Sequence, residues 1–167
     1  MIKPITYNDL EIVSTLAYKI WPVVYKEMIS QDQISYMLNW MYARETLQQA
    51  HISGDFFYAY YQEKEAVGFI HLHPKHEVLK LQKIYILPEF QNEGIGREFI
   101  HFCNTFCQQN NFKELELQVN RENTAVNFYL KNGFTIVMEK DFDIGNGYAM
   151  NDYIMKKKII ADLIKMT

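Results

Sequence analysis

The segment Gln91-Asn92-Glu93-Gly94-Ile95-Gly96-Arg97 follows the apolar run Ile84-Tyr85-Ile86-Leu87-Pro88 and leads into a stretch of helical periodicity. A strand, a compact turn and a helix start placed back to back form an anion site. Successive N–H groups point into the concavity, and the helix macrodipole adds partial positive charge. Glycines at 94 and 96 let the backbone approach a ligand where a Cβ would obstruct it. Such a turn suits a pyrophosphate and requires no metal. The Gly-Lys-Ser/Thr ending of a P-loop is missing, and Phe99 stands where the third glycine of a dinucleotide-binding turn would fall. Nucleotide hydrolysis and hydride transfer both lose support.

The other residues with reactive side chains read differently. Cys103 and Cys107 stand one helical turn apart among Phe99, Phe102 and Phe106, with no third cysteine in the chain. They read as a buried apolar helix face and not as a metal or redox pair. His101 falls off that stripe and reads as a surface residue.

The elements that must position the turn follow from periodicity. Ile2 to Thr6 reads as a first strand, after which Asn8 or Asp9 caps a helix carrying Leu10, Val13, Leu16, Ala17 and Ile20, bent or ended at Trp21-Pro22. A second helix capped at Ser30 carries Ile34, Met37, Leu38 and Met41, with a continuation through Ala43 to Ala50, and Gly54-Asp55 closes the helical region. Phe56 to Tyr61, Ala66 to His73 and Val78 to Leu87 form an antiparallel meander. Beyond the turn come a helix with Phe99, Ile100, Cys103, Phe106 and Cys107, a half-buried strand over Leu115 to Val119, and a short helix over Asn123 to Leu130. Two strands then flank Gly145-Asn146-Gly147, and the last residues, from Lys156 to beyond Ala161, form a terminal helix or a packed arm.

The 167 residues fit one domain, with twelve Tyr and eleven Phe to fill a core. A net charge of −3 argues against a nucleic-acid surface and favours cationic small molecules as partners. No apolar run approaches the roughly 20 residues needed to cross a bilayer, and the start of the chain lacks a signal region, so a cytoplasmic location is expected.

The Gln91-x-x-Gly94-x-Gly96 turn after an apolar-x-Pro strand, followed by Asn123 and then Phe128-Tyr129-Leu130-Lys131-Asn132-Gly133-Phe134, resembles the GNAT acetyltransferase superfamily. The resemblance implies a single α/β domain over 1–167, with a mixed, mostly antiparallel sheet of about seven strands flanked by about four helices. It also implies acetyl-coenzyme A as co-substrate, with no metal. Backbone N–H groups of Gln91, Asn92, Glu93, Gly94, Ile95, Gly96 and Arg97 would hold the pyrophosphate, and main-chain groups near Ile84 and Ile86 would hold the acetyl carbonyl and the pantetheine arm. Tyr129 would protonate the departing thiolate. Asn123 would contact pantetheine, although it stands one residue closer to Tyr129 than the family spacing.

Several family members place a Glu early on the strand before the turn, whereas this chain has Lys80-Leu81-Gln82-Lys83 there. His71, His73 and Glu77 are the candidate bases, acting through water, and the two histidines read equally well as a solvated strand face. The family's acceptor region maps to Trp21, Tyr25, Tyr36, Tyr148 and Asp152, aromatics with one acid that suit a cationic amine, with Tyr36 reading better as core. Trp21-Pro22 and the Tyr148-x-Met150-x-Asp152-Tyr153 ending resemble the PaiA-type polyamine acetyltransferases. A small primary amine is therefore the expected acceptor of a monomer or homodimer. A protein or peptide amine, and a noncatalytic coenzyme A-binding module, remain as alternatives, the second disfavoured by Tyr129.

Overall fold

Two-residue alternation of burial marks β-strands over 56–62 and 114–120 in the computed structural model, which describes residues 1–160. They group into two compact units, Met1–His73 with Gln82–Phe99, and Pro74–Leu81 with the chain from Ile100 onward.

In the first unit β1 (Ile2–Pro4) pairs antiparallel with β2 (Phe56–Gln62), and β2 with β3 (Glu65–Lys75). The helices lie between β1 and β2 in the chain. Asn8 and Asp9 do not cap the first of them: Tyr7–Asp9 is a 3-10 turn in which Thr6 Oγ1 donates to Asp9 Oδ2 at 2.5 Å, so the Asp9 carboxylate is already engaged when α1 (Glu11–Val24) begins. Val13, Leu16, Ala17, Ile20 and Trp21 form its buried stripe. Pro22 lies inside α1, which runs on to Val24, and Tyr25 N–H bonds Trp21 O at 3.0 Å. Near a helix end the proline forfeits one backbone bond without ending the helix. Ser30 caps α2 (Gln31–Met41) as its spacing predicts, its Oγ accepting from Gln33 N–H at 3.1 Å. The expected continuation is broken, because Ala43 is extended at ψ 144° and α3 (Arg44–Ile52) starts afresh.

The strand β4 (Val78–Ile86) begins in the second unit and ends in the first. Close to its end, Leu87 N–H bonds Val67 O at 2.8 Å, and a Cβ on Gly68 would stand 2.8 Å from Tyr85 O and 3.3 Å from Phe99 Cε2. Backbone is the nearest obstacle, so Gly68→Ala should cost about 1–3 kcal/mol, read as a lowered denaturation midpoint. A midpoint equal to wild type would show that β4 yields freely at Tyr85.

In the second unit Val78–Leu81 of β4 runs parallel to β5 (Glu114–Asn120), with Val78 opposite Glu114. Antiparallel β7 (Tyr148–Lys158) lies against β5, and β6 (Thr135–Gly145) against β7. The hairpin turns at Gly145-Asn146-Gly147, all with positive φ, as expected. Lys156 to Lys158 end β7 and so do not open a terminal helix; the remainder of that expected segment, Ala161 onward, lies outside the described residues. The long α4 (Ile95–Gln109) starts in the first unit and buries Phe99, Ile100, Cys103 and Cys107, while α5 (Ala125–Lys131) is short. The sheet has seven strands in the order β1-β2-β3-β4-β5-β7-β6, mixed and mostly antiparallel. Five α-helices accompany it among the described residues, one more than expected because of the break at Ala43.

Candidate active site

Between β4 and α4 the chain makes a 3-10 turn at Pro88–Phe90, and Gln91 Nε2 reaches back to donate to Ile86 O at 3.2 Å. Asn92 and Gly94 take the left-handed region at φ 67° and 91°, and Glu98 N–H closes the first turn of α4 onto Gly94 O at 3.1 Å. The first N–H groups of α4 have no carbonyl within the helix to bond. A Cβ at Gly94 would meet only Arg97 Nη2, at 3.8 Å. In this structure the glycine is therefore required by its backbone angle, and the space in front of it stays open.

Alternate residues of β4 enter an aromatic cluster. Tyr85 Oη and Tyr25 Oη share a hydrogen bond of 2.8 Å, Trp21 Nε1 donates to Tyr42 Oη at 3.0 Å, and the Trp21 and Tyr25 rings are 4.5 Å apart. Trp21 is 1% exposed, so it buttresses Tyr25 and Tyr42 and presents no free ring face. Burial, with Tyr25 adding to it, raises the Tyr42 phenol well above its ordinary range. Lys83 Nζ sits 5.3 Å from the Tyr42 ring centroid, and burial lowers its ammonium to about 8. Tyr36 is half-buried, packed against Trp40 at 6.2 Å.

His71 and His73 are joined by a residue that the sequence reading passes over. Asp55 places Oδ2 at 2.5 Å from His71 Nε2 and Oδ1 at 2.7 Å from His73 Nδ1. Its signal lies in the register: Phe56 is opposite Leu72, which puts Asp55 level with His73. The solvated-face reading fails for His71, which is buried and stacked on Phe57 at 4.2 Å, whereas the His73 side chain is 38% exposed. Burial drives His71 down to about 4 despite Asp55, so the ring is neutral at physiological pH. Asp55 is pushed up by burial but held below its ordinary range by the bonds from His71 and His73. A neutral His71 donates Nε2–H to Asp55, leaving buried Nδ1 with no hydrogen-bond partner among the described residues. Glu77, the third base candidate, is exposed and paired with Lys113 in the second unit.

The second unit holds the remaining predicted residues. Tyr129 is buried in the last turn of α5, its ring edge-on to Phe128 at 5.4 Å and to Phe134 at 5.8 Å. Gly133, at φ 87°, lets the chain reverse so that Phe134 N–H bonds Tyr129 O at 3.1 Å. Asn123 Oδ1 accepts from Ala125 N–H at 2.9 Å, so this side chain supports the start of α5. Tyr148 is half-buried opposite Gly145 at the hairpin. Asp152 is 2% exposed, level with Asn120 on β5 and Lys140 on β6. Burial raises its carboxyl to about 6 against the pull of Arg121, whose guanidinium is bonded to Glu139 and Asp141. Asp152 Oδ1 has no hydrogen-bond partner among the described residues.

Residues 25–157 match the family described as Acetyltransferase (GNAT) domain. The spermidine N(1)-acetyltransferase of Thermoplasma acidophilum is 25% identical over 94% of this chain and 96% of its own length. The crystal structure of PaiA N-acetyltransferase from Thermoplasma acidophilum in complex with coenzyme A gives a TM-score of 0.82 at 25% identity, over 95% of this chain and 98% of that one. The ribosomal-protein-S18-alanine N-acetyltransferase of Escherichia coli shares the fold, with a TM-score of 0.74 at 15% identity, over 100% of this chain and 98% of its own. The family match takes in β4, the glycine turn, Tyr129 and Asp152 together, and the chain accordingly belongs to the GNAT family as an N-acetyltransferase.

Proposed function

We propose that this N-acetyltransferase moves the acetyl group of acetyl-coenzyme A to the primary amine of a small polyamine-like molecule, by direct attack on the thioester. The N–H groups from Asn92 to Arg97 would hold the pyrophosphate, the expected Gln91 N–H being taken by Pro88 O at 3.2 Å, and the open space before Gly94 fits that role. Main-chain groups near Ile84 and Ile86 would hold the pantetheine arm and the acetyl oxygen, whose developing charge strand N–H groups stabilise. The Asn123 side-chain N–H₂, its oxygen being taken by Ala125, would face pantetheine. As the amine nitrogen bonds to the carbonyl carbon, the C–S bond breaks and Tyr129 protonates the thiolate. We assign the proton leaving the amine to the His71–Asp55–His73 cluster, whose exposed member His73 meets solvent while Asp55 holds both rings.

The observation that carries the amine reading is Asp152: a buried carboxylate with one oxygen unbonded and its neighbouring cation committed elsewhere. A cationic amine supplies both the charge and the N–H donors that this oxygen lacks. The named activity of the Thermoplasma acidophilum relative supports a polyamine. A screen of spermidine, other primary amines, amino acids and N-terminal peptides, read by free thiol released from acetyl-coenzyme A, tests it. Turnover confined to peptides would sink the small-amine reading.

Asp152→Asn should raise the acceptor KM about tenfold or more while the KM for acetyl-coenzyme A stays near wild type. The same variant should be more stable at pH 7. A carboxyl raised from 3.8 to about 6 keeps extra protons on the folded chain between those values, so its contribution falls as pH rises through that window. Melting curves at pH 5 and pH 8 should show the variant's advantage over wild type larger by a few degrees at the higher pH. Equal rises in both KM values would remove Asp152 from the acceptor site.

A further inference from the structure

Asp152 has unequal neighbours on its own sheet face. Residues directly opposite each other in an antiparallel pair share a face, so Asp152 on β7 stands in a row with Asn120 on β5 and Lys140 on β6. On either side of that row the same face carries Met138 and Phe142 of β6 and Ile154 and Met150 of β7, none of them charged. Lys156, farther along β7 on this face, is neutralised by Glu114 and Glu116, while Glu139 and Asp141 alternate to the opposite face and bind Arg121 there. Lys140 is exposed and enters no ion pair among the described residues. Its ammonium lies over the Phe142 ring, 4.9 Å from the centroid, and so stays on the face of Asp152. The other flank is neutral, since Asn120 uses its Oδ1 to accept from Glu122 N–H at 2.9 Å. Side chains of a directly opposed pair start about 5 Å apart, so a cation held at Asp152 lies within about 10 Å of Lys140, the Debye length in 0.1 M salt.

We propose that Lys140 is a specificity-determining residue: it keeps a second cation of the acceptor off the β6 side of Asp152, so that a polyamine anchored there extends past Asn120, an inference that rests on Asp152 as the acceptor's anchor. The carboxylate takes one ammonium, and the lysine opposite decides on which flank the next positive charge lies. Lys140 touches no reacting atom and acts through its charge alone.

The test compares KM for a linear diamine and for a monoamine of the same carbon length, and the ratio of the two monoacetyl products of spermidine, whose ends are unequal. In dilute buffer Lys140→Met should lower the diamine KM at least about threefold more than the monoamine KM, with the acetyl-coenzyme A KM near wild type. The charge-keeping Lys140→Arg should match wild type. In 1 M salt, where the Debye length shrinks to about 3 Å, the difference between the two acceptors should vanish. Wild type should acetylate one end of spermidine in preference, and Lys140→Met should bring the two products closer to equal. Diamine and monoamine KM values that change equally or not at all, or a difference that survives 1 M salt, overturn the inference. Asp152→Asn scores the anchor separately. Acceptor KM values unchanged in that variant sink the anchor and this inference with it, whereas raised values beside an inert Lys140→Met sink this inference alone.

Discussion

Tyr129→Phe should lower kcat by about 10²–10⁴-fold while coenzyme A affinity and stability stay near wild type. The expectation rests on what the substitution leaves in place. The Tyr129 ring is buried edge-on to Phe128 and Phe134, and a phenylalanine fills the same volume against the same rings. The Gly133 reversal depends on the Tyr129 carbonyl, which bonds Phe134 N–H, and not on the hydroxyl. What the substitution removes is the hydroxyl proposed as the proton source for the departing thiolate. Rates must be compared where chemistry limits turnover, since slow product release would mask the loss. A phenylalanine variant with wild-type kcat would make Tyr129 a packing residue and leave water as the acid.

Gly94→Glu should weaken coenzyme A binding by about 10²-fold or more in calorimetry, with two causes that a companion variant separates. At φ 91° any side chain strains the backbone by about 1–2 kcal/mol, roughly a tenfold effect. Glutamate also adds a negative charge where the pyrophosphate is assigned, at the positive end of α4. Gly94→Ala meets only Arg97 Nη2 at 3.8 Å and carries the strain without the charge, so it should lose about tenfold and no more. Unchanged affinity in the glutamate variant would place the pyrophosphate elsewhere.

Much of this was legible in the sequence, and what was not has identifiable causes. Alternation locates β2 and β5 within two residues because each has one buried face, β3 shows as an apolar run buried on both faces, and Ser30 and Gly133 mark helix ends through side-chain or backbone chemistry peculiar to them. The break between α2 and α3 falls at Tyr42-Ala43, where neither glycine nor proline signals it, and it is set by Tyr42 turning inward to meet Trp21. The glycine turn before α4 shows itself because it is local. Asp55, by contrast, acquires its role only through the pairing of β2 with β3, and Lys83 becomes unusual only through what buries it. Asp152 could be named as an acid on a late strand, but its unbonded oxygen is a property of the packed sheet.

The two cysteines also decide how the enzyme can be assayed. Cys103 and Cys107 are unpaired and buried in α4, and burial pushes the Cys107 thiol to about 12 and Cys103 higher still. Disulfide exchange reagents react with thiolate, which neither residue supplies at neutral pH while the chain is folded. A chromogenic thiol reagent therefore sees released coenzyme A against a silent protein, and turnover can be followed continuously without blocking the enzyme first. Once the chain unfolds both sulfurs become ordinary thiols, so the same colour reaction, run without substrate, turns into a clock for opening of the core around α4.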